Sequence, residues 1–230
     1  YLSLIFSVLF VLTGLFLSGG LARLLGADPA VFDMTNTYLK VLLLFSPAFI
    51  LNDVLLCFVR NDGNPQLAMA ATITGSLSNI VLDYVFIFPC GMGIFGAVFA
   101  TGLAPVIGIL VMAPHWLKRD KGFHIISTGL PARAAGITLS LGFPSLLAQL
   151  SSGIVMIVFN TIILGLLGNT GVAAYGVIAN ISLVVTSIFT GIAQGVQPLI
   201  SQAYGRKETN LVGLYLKYSM ISMAVFSAAV

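Results

Sequence analysis

The chain has 230 residues, of which 58% are hydrophobic and only 7% charged, with a formal net charge of +3. A soluble domain carries about 25% charged residues, so this composition, with a mean hydropathy of +1.07, excludes a surface solvated by water. The basic residues form no stripe, which excludes a nucleic-acid partner, and the bilayer is the solvent that remains.

Across hydrocarbon only helices or closed barrels satisfy their backbone hydrogen bonds. The apolar stretches run about 20 residues without strict alternation, which favours helices over barrel strands of about 9–11 residues. The fold class expected is therefore all-α, a polytopic transmembrane helix bundle. The sequence opens on Tyr1 rather than Met, and its last apolar run is unbroken at Val230. A piece of a longer protein is expected.

Seven spans are predicted, at 1–22, 36–58, 66–88, 94–114, 136–167, 172–203 and 210–230. Gly- and Pro-rich breaks separate them, among them Gly26-Ala27-Asp28-Pro29, Arg60 to Pro65, Pro89 to Gly93, and Gly168-Asn169-Thr170-Gly171. Such clusters end helices or shape turns. Spans 5 and 6 exceed the roughly 20 residues needed to cross, so they should tilt or protrude. Pro47, Pro105, Pro144 and Pro198 lie inside spans and are candidates to kink or open them. Basic residues set the direction. Arg60, Lys118, Arg119, Lys121, Arg133, Arg206 and Lys207 fall on one side, and only Arg23 and Lys40 on the other. The richer side, with the Lys118–Arg133 loop, is expected to be cytoplasmic.

A charge at the bilayer centre costs about 2.5–3.5 kcal/mol on insertion scales, so an intramembrane acid is a candidate for function. Asp83 in span 3 is one. Asn79 lies four residues earlier on the same helix face, and Thr101 on the antiparallel span 4 is expected at similar depth. Amide, hydroxyl and carboxylate oxygens suit a small hard cation, or a proton on the carboxylate. The alternative is that Asn79 and Asp83 only join helices by hydrogen bonds. Asp53, near the cytoplasmic end of span 2, has Arg60 two turns on, and an interfacial ion pair is the simpler account. Spans 5 and 6 hold no acid or base; Gln149 and Asn180 there are candidate cavity-lining residues. Cys57 and Cys90 fall at opposite membrane ends and do not predict a disulfide; a buried thiol is the plain expectation for each.

Enzyme readings fail on spacing. There is no H-E-x-x-H, no G-x-x-x-x-G-K-[ST] and no G-x-S-x-G, and no Gly-x-Gly-Asp of an intramembrane protease. No catalytic residue and no bound cofactor are expected.

Several motifs resemble the multidrug and toxic compound extrusion (MATE) family. Phe58 to Gln66 and Asn79 to Phe88 look like its fourth-to-fifth helix loop and its fifth helix. Gly91 to Thr101 is similar to the start of its sixth. Leu141-Gly142-Phe143-Pro144-Ser145 resembles the opening of its seventh, and Gly195 to Ser201 with Tyr204-Gly205 the close of its eighth. The resemblance implies helices three to nine of a twelve-helix, two-lobe (6+6) architecture. It implies the last four helices of the N-lobe at 1–117, an inter-lobe linker at 118–135, and the first three helices of the C-lobe at 136–230. It places the family's N-lobe cation site on Asn79, Asp83 and Thr101, which would be metal ligands only under Na⁺ coupling.

The function expected from this is H⁺- or Na⁺-coupled antiport that exports amphipathic or cationic small molecules from the cell membrane, by a full-length monomer. A lipid-linked oligosaccharide flippase of related fold is the alternative, though spans 5 and 6 supply no cation for a pyrophosphate. A membrane scaffold is a third reading, and it would gain nothing from an Asn-Asp-Thr cluster in lipid.

Overall fold

The computed structural model describes residues 1–25, 31–117, 129 and 131–229. Its elements are α1 (Leu2–Phe16), α2 (Ser18–Leu24), α3 (Phe32–Leu44), α4 (Ser46–Asn61), α5 (Pro65–Ile87), α6 (Gly93–Leu117), α7 (Ala132–Gly205) and α8 (Thr209–Ala229). Among the described residues there is no strand. Five helices are long and apolar enough to cross a membrane, and two bent pairs, each counted as one span, bring the total to seven. Every expected span therefore has a helical counterpart.

The spans differ from expectation in where they break. The first is bent by 80° between α1 and α2 and the second by 47° between α3 and α4. The second break falls at Phe45, just before Ser46-Pro47, and Pro47 occupies the first turn of α4, where its missing N–H is harmless. The first break, at Leu17, has no proline. Ser18-Gly19-Gly20 follows it, and two glycines in a row weaken helix by about 1 kcal/mol each. Pro105, by contrast, breaks nothing: α6 runs on through both Pro105 and Pro114.

The chain forms two compact units, Tyr1–Gly129 and Leu130–Val230. In the second unit α7 contains two spans, Ala132–Gly168 and Ala174–Gly205, joined at Gly168 with φ 63° and ψ −160°. That backbone region is essentially restricted to glycine. Phe159 and Tyr175 stack across this junction with ring centroids 5.9 Å apart. Arg133, on the first turn of α7, is exposed; Lys118, Arg119 and Lys121 of the expected linker, and the Gly26–Pro29 break, lie outside the described residues. Cys57 and Cys90 are free and both exposed, against the expectation of buried thiols. Cys57 sits on the open face of α4, and Cys90 in the turn after α5.

In the first unit α5 and α6 pack antiparallel through small residues, as lipid-embedded helices do when backbones approach closely. A Cβ on Gly75 would lie 3.0 Å from the Ala104 carbonyl oxygen, and one on Gly96 would lie 2.9 Å from Phe86 Cβ. Position 75 therefore faces 104, and 86 faces 96. One end of this unit holds a core of Leu55, Leu56 and Val59 from α4, Ala68 and Ala71 from α5, and Met112 from α6. Asn64 starts α5 there: its side-chain oxygen accepts the Leu67 N–H at 3.3 Å, with Pro65 following as the first helical residue. His115, buried near the end of α6, meets Asp62 of the α4–α5 turn, Nε2 to Oδ2 at 2.9 Å.

Candidate functional site

Asn79 and Asp83 lie on adjacent turns of α5, an apolar span of 23 residues. Four-residue spacing stacks their side chains on one face. Asn79 Nδ2 and Asp83 Oδ1 are both buried, and neither has a hydrogen-bond partner among the described residues. A buried polar atom without a partner costs about 1–3 kcal/mol, so the fold does not use these two atoms as internal glue. The pairings at Gly75–Ala104 and Gly96–Phe86 set the depth of Thr101. Interpolated between them, position 101 comes opposite Asn79, and Asp83 comes opposite positions 97 and 98. Thr101 is thus level with the amide, one turn from the depth of the carboxylate.

Thr101 offers acceptors. Its hydroxyl donates to the Ala97 carbonyl at 3.0 Å, which leaves the hydroxyl oxygen's lone pairs outward. Its own carbonyl cannot receive the usual i+4 hydrogen bond, because residue 105 is proline and has no N–H. The local set is a carboxylate, an amide, a hydroxyl and a carbonyl without its i+4 donor on two neighbouring helices. Oxygen donors of this kind suit a proton or a hard cation. No group of three or more His, Cys, Asp or Glu residues able to hold a transition metal occurs among the described residues.

Phe45, Phe86, Phe95 and Phe99 cluster on the opposite side from the α4–α5 turn. Phe99 meets the Phe45 ring edge-on at 5.7 Å, Phe86 at 5.6 Å, and stacks on Phe95 at 5.8 Å. These rings put apolar bulk just beyond Asp83, between it and the end of α5.

On the other side lies a cavity of about 270 Å³ between α4, α5 and α6. Its polar lining is Asn52, Asp53, Thr72 and Ser76, with Pro105 and Gly108 from α6. A Cβ on Gly108 would come 2.6 Å from Asn52 Oδ1; only glycine there lets the amide reach into the helix contact. Reading Asp53 as an interfacial ion pair captures its relation to Arg60, whose charge acts on it, but misses this cavity. The sequence does carry a signal for it: Thr72, Ser76, Asn79 and Asp83 are spaced i, i+4, i+7, i+11, one polar stripe along α5.

The two candidate cavity residues of the second unit stand differently. Gln149 and Asn180 are both exposed on α7, and the Asn180 amide donates to the Gly176 carbonyl at 2.9 Å. The cavity described in this unit, about 540 Å³, lies between the second span of α7 and α8 and is lined by Gln197, Ser201, Tyr204 and Ser219 among others. It includes neither Gln149 nor Asn180.

Comparison with known proteins adds an independent line. The sequence profile described as MatE matches residues 1–85 and 144–230. The multidrug export protein MepA of Staphylococcus saprophyticus is 28% identical over 232 residues, covering 99% of this chain and 51% of that protein. Among solved structures, a MOP superfamily transporter from Pyrococcus furiosus is similar, with TM-score 0.83 and 30% identity over 97% of this chain and 51% of its own. A crystal structure of MATE in the straight conformation gives TM-score 0.85 and 28% identity over 99% of this chain and 52% of its own. The chain spans about half the length of the relatives it matches.

Proposed function

The chain belongs to the MatE family, and from that premise we propose that it is the central portion of a cation-coupled antiporter that exports drug-like molecules. Relatives named as multidrug export proteins support the transport reading. Residues 1–117 would be the last four helices of one lobe, 118–135 the cytoplasmic linker, and 136–230 the first three helices of the other lobe. The protein would work as a multi-pass protein of the cell membrane. Its substrates would be amphipathic or cationic small molecules.

One observation carries the coupling part: Asn79 Nδ2 and Asp83 Oδ1, buried within an apolar span, have no partner among the described residues. Asp83 Oδ1 is an unpartnered acceptor that a proton or Na⁺ would complete, and Asn79 would face a cation through its amide oxygen rather than through Nδ2. Binding there drives transport only if one of two conformations binds the ion better, since a ligand with equal affinity for both shifts nothing. The ion would stabilise one access state, and substrate would favour the other.

The test is efflux of a fluorescent organic cation from vesicles carrying the full-length protein, with and without an imposed Na⁺ or pH gradient. Gradient-driven efflux should be lost in Asp83→Asn and strongly reduced in Asn79→Leu. Unchanged ion-driven efflux in Asp83→Asn would remove Asp83 from the mechanism.

A further inference from the structure

Among the described residues, Asp53 is the only charged one lining the cavity between α4, α5 and α6. It sits eight residues before the end of α4 at Asn61, about 12 Å along the helix at 1.5 Å per residue. Asp53, Thr72 and Ser76 are exposed on this face of the unit. A carboxylate facing hydrocarbon at depth is costly, so acids within spans border water or other protein. The face bearing Asp53 is therefore not a lipid-facing one.

On α5 the cavity ends at Ser76, about one turn short of Asn79. Thr72 and Ser76 line it, and Asn79 and Asp83 continue the same stripe one and two turns further. From Ser76 to Asp83 the rise is about 10 Å, with Asn79 between them. Pro105 lines the cavity and leaves the Thr101 carbonyl without its helical donor, so an acceptor stands between cavity and pair. At the far end the four-phenylalanine cluster closes the unit with apolar rings. Polar groups thus run from Asp83 toward the α4–α5 turn and are blocked in the other direction.

From this arrangement we infer that Asp53, with Asn52, Thr72 and Ser76, forms a second station for the coupling cation: an inner relay through which a proton or Na⁺ leaves Asp83 for the side bearing the α4–α5 turn. In the proton case the transfer is balanced. Protonated Asp83 gives its proton along water bonded to Asn79 and Ser76, Asp53 takes it, and Asp53 then releases it to bulk water. Asp83 is left ionised and Asp53 returns to its starting state. The cavity of about 270 Å³ has room for several waters, each with a share of about 30 Å³ of liquid volume. Asn52, Thr72 and Ser76 supply the polar partners such waters need. The inference rests on the reading of Asp83 as the coupling acid.

The experiment compares Asp53→Asn, Asp53→Glu and Asp83→Asn in the full-length protein. In Asp53→Asn, gradient-driven efflux of a fluorescent cation should slow by roughly a hundredfold or more, the lower end of what a positioned proton-transfer group supplies. Equilibrium binding of that cation should be unchanged, and Asp53→Glu should recover most of the rate. If Asp53→Asn transports at the wild-type rate while Asp83→Asn is uncoupled, the relay is overturned and the Asp83 reading stands. If Asp83→Asn itself transports normally, it is the underlying reading that fails. A second measurement does not depend on the Asp53 variants folding. Ser76→Cys, in a Cys57→Ala/Cys90→Ala background, should react with a membrane-impermeant thiosulfonate added from the cytoplasmic side. No modification from that side would overturn the relay.

Discussion

Asn79→Leu separates an ion site from interhelical glue. In the structure Asn79 Nδ2 is buried and donates to nothing among the described residues. Removing an unpaired buried polar group relieves a desolvation penalty of about 1–3 kcal/mol, and leucine adds apolar surface inside an apolar span. The substitution should therefore leave the full-length protein as stable as the parent or more stable by about 1–3 kcal/mol. Glue would behave oppositely, since an interhelical hydrogen bond in a membrane protein is worth about 0.6 kcal/mol on average and up to about 1.7. The assay is reversible unfolding in mixed micelles, read by the fluorescence of Trp116, paired with ion-driven efflux on the same preparation. Stability held or raised with efflux reduced is the expected pair of results. Stability lost by more than about 1 kcal/mol with efflux intact would return Asn79 to a structural role.

Three further substitutions test the packing that holds the site. Gly102→Ala would drive a Cβ into the Phe45 ring, so the ring must move out of the phenylalanine cluster; a loss of about 1–3 kcal/mol is expected in the same unfolding assay. Gly168→Ala forces φ 63°, ψ −160° on a residue with a Cβ and should cost about 1–3 kcal/mol, visible as faster proteolysis between the two spans of α7. His115→Ala removes the 2.9 Å contact with Asp62 and leaves a space in a buried position. It should destabilise by about 1–3 kcal/mol and raise hydrogen exchange in the α4–α5 turn, whereas a mutation elsewhere on α6 should not single out that turn.

Hydropathy made the seven spans readable, because each stretch long enough to cross must be almost wholly apolar. Helix breaks were readable only where chemistry forces them. Ser46-Pro47 and the glycine at 168 mark theirs; the bend at Leu17 has no proline, and its weaker mark is the Ser18-Gly19-Gly20 that follows it. Pro105 misleads in the other direction. It sits in a helix held on both sides by close-packed neighbours, and its effect is a freed carbonyl at Thr101 rather than a kink. Asn79 and Asp83 were readable from four-residue spacing alone. The surroundings of Asp53 were not, since they come from α5 and α6, where Gly75 and Gly108 allow the helices and Asn52 their close approach. Gln149 and Asn180 are exposed on α7, which suits a cavity wall and an open helix face alike.

The coupling claim is met most directly by ion release on substrate binding. Purified full-length protein in weakly buffered detergent solution, loaded at high proton or Na⁺ occupancy, is mixed with an organic cation substrate while a pH dye and a Na⁺ indicator are followed. The account predicts release of one of the two ions by the wild-type protein, in proportion to substrate bound, and no release by Asp83→Asn. Release of equal size from Asp83→Asn, or substrate binding with no ion released by either protein, would contradict it.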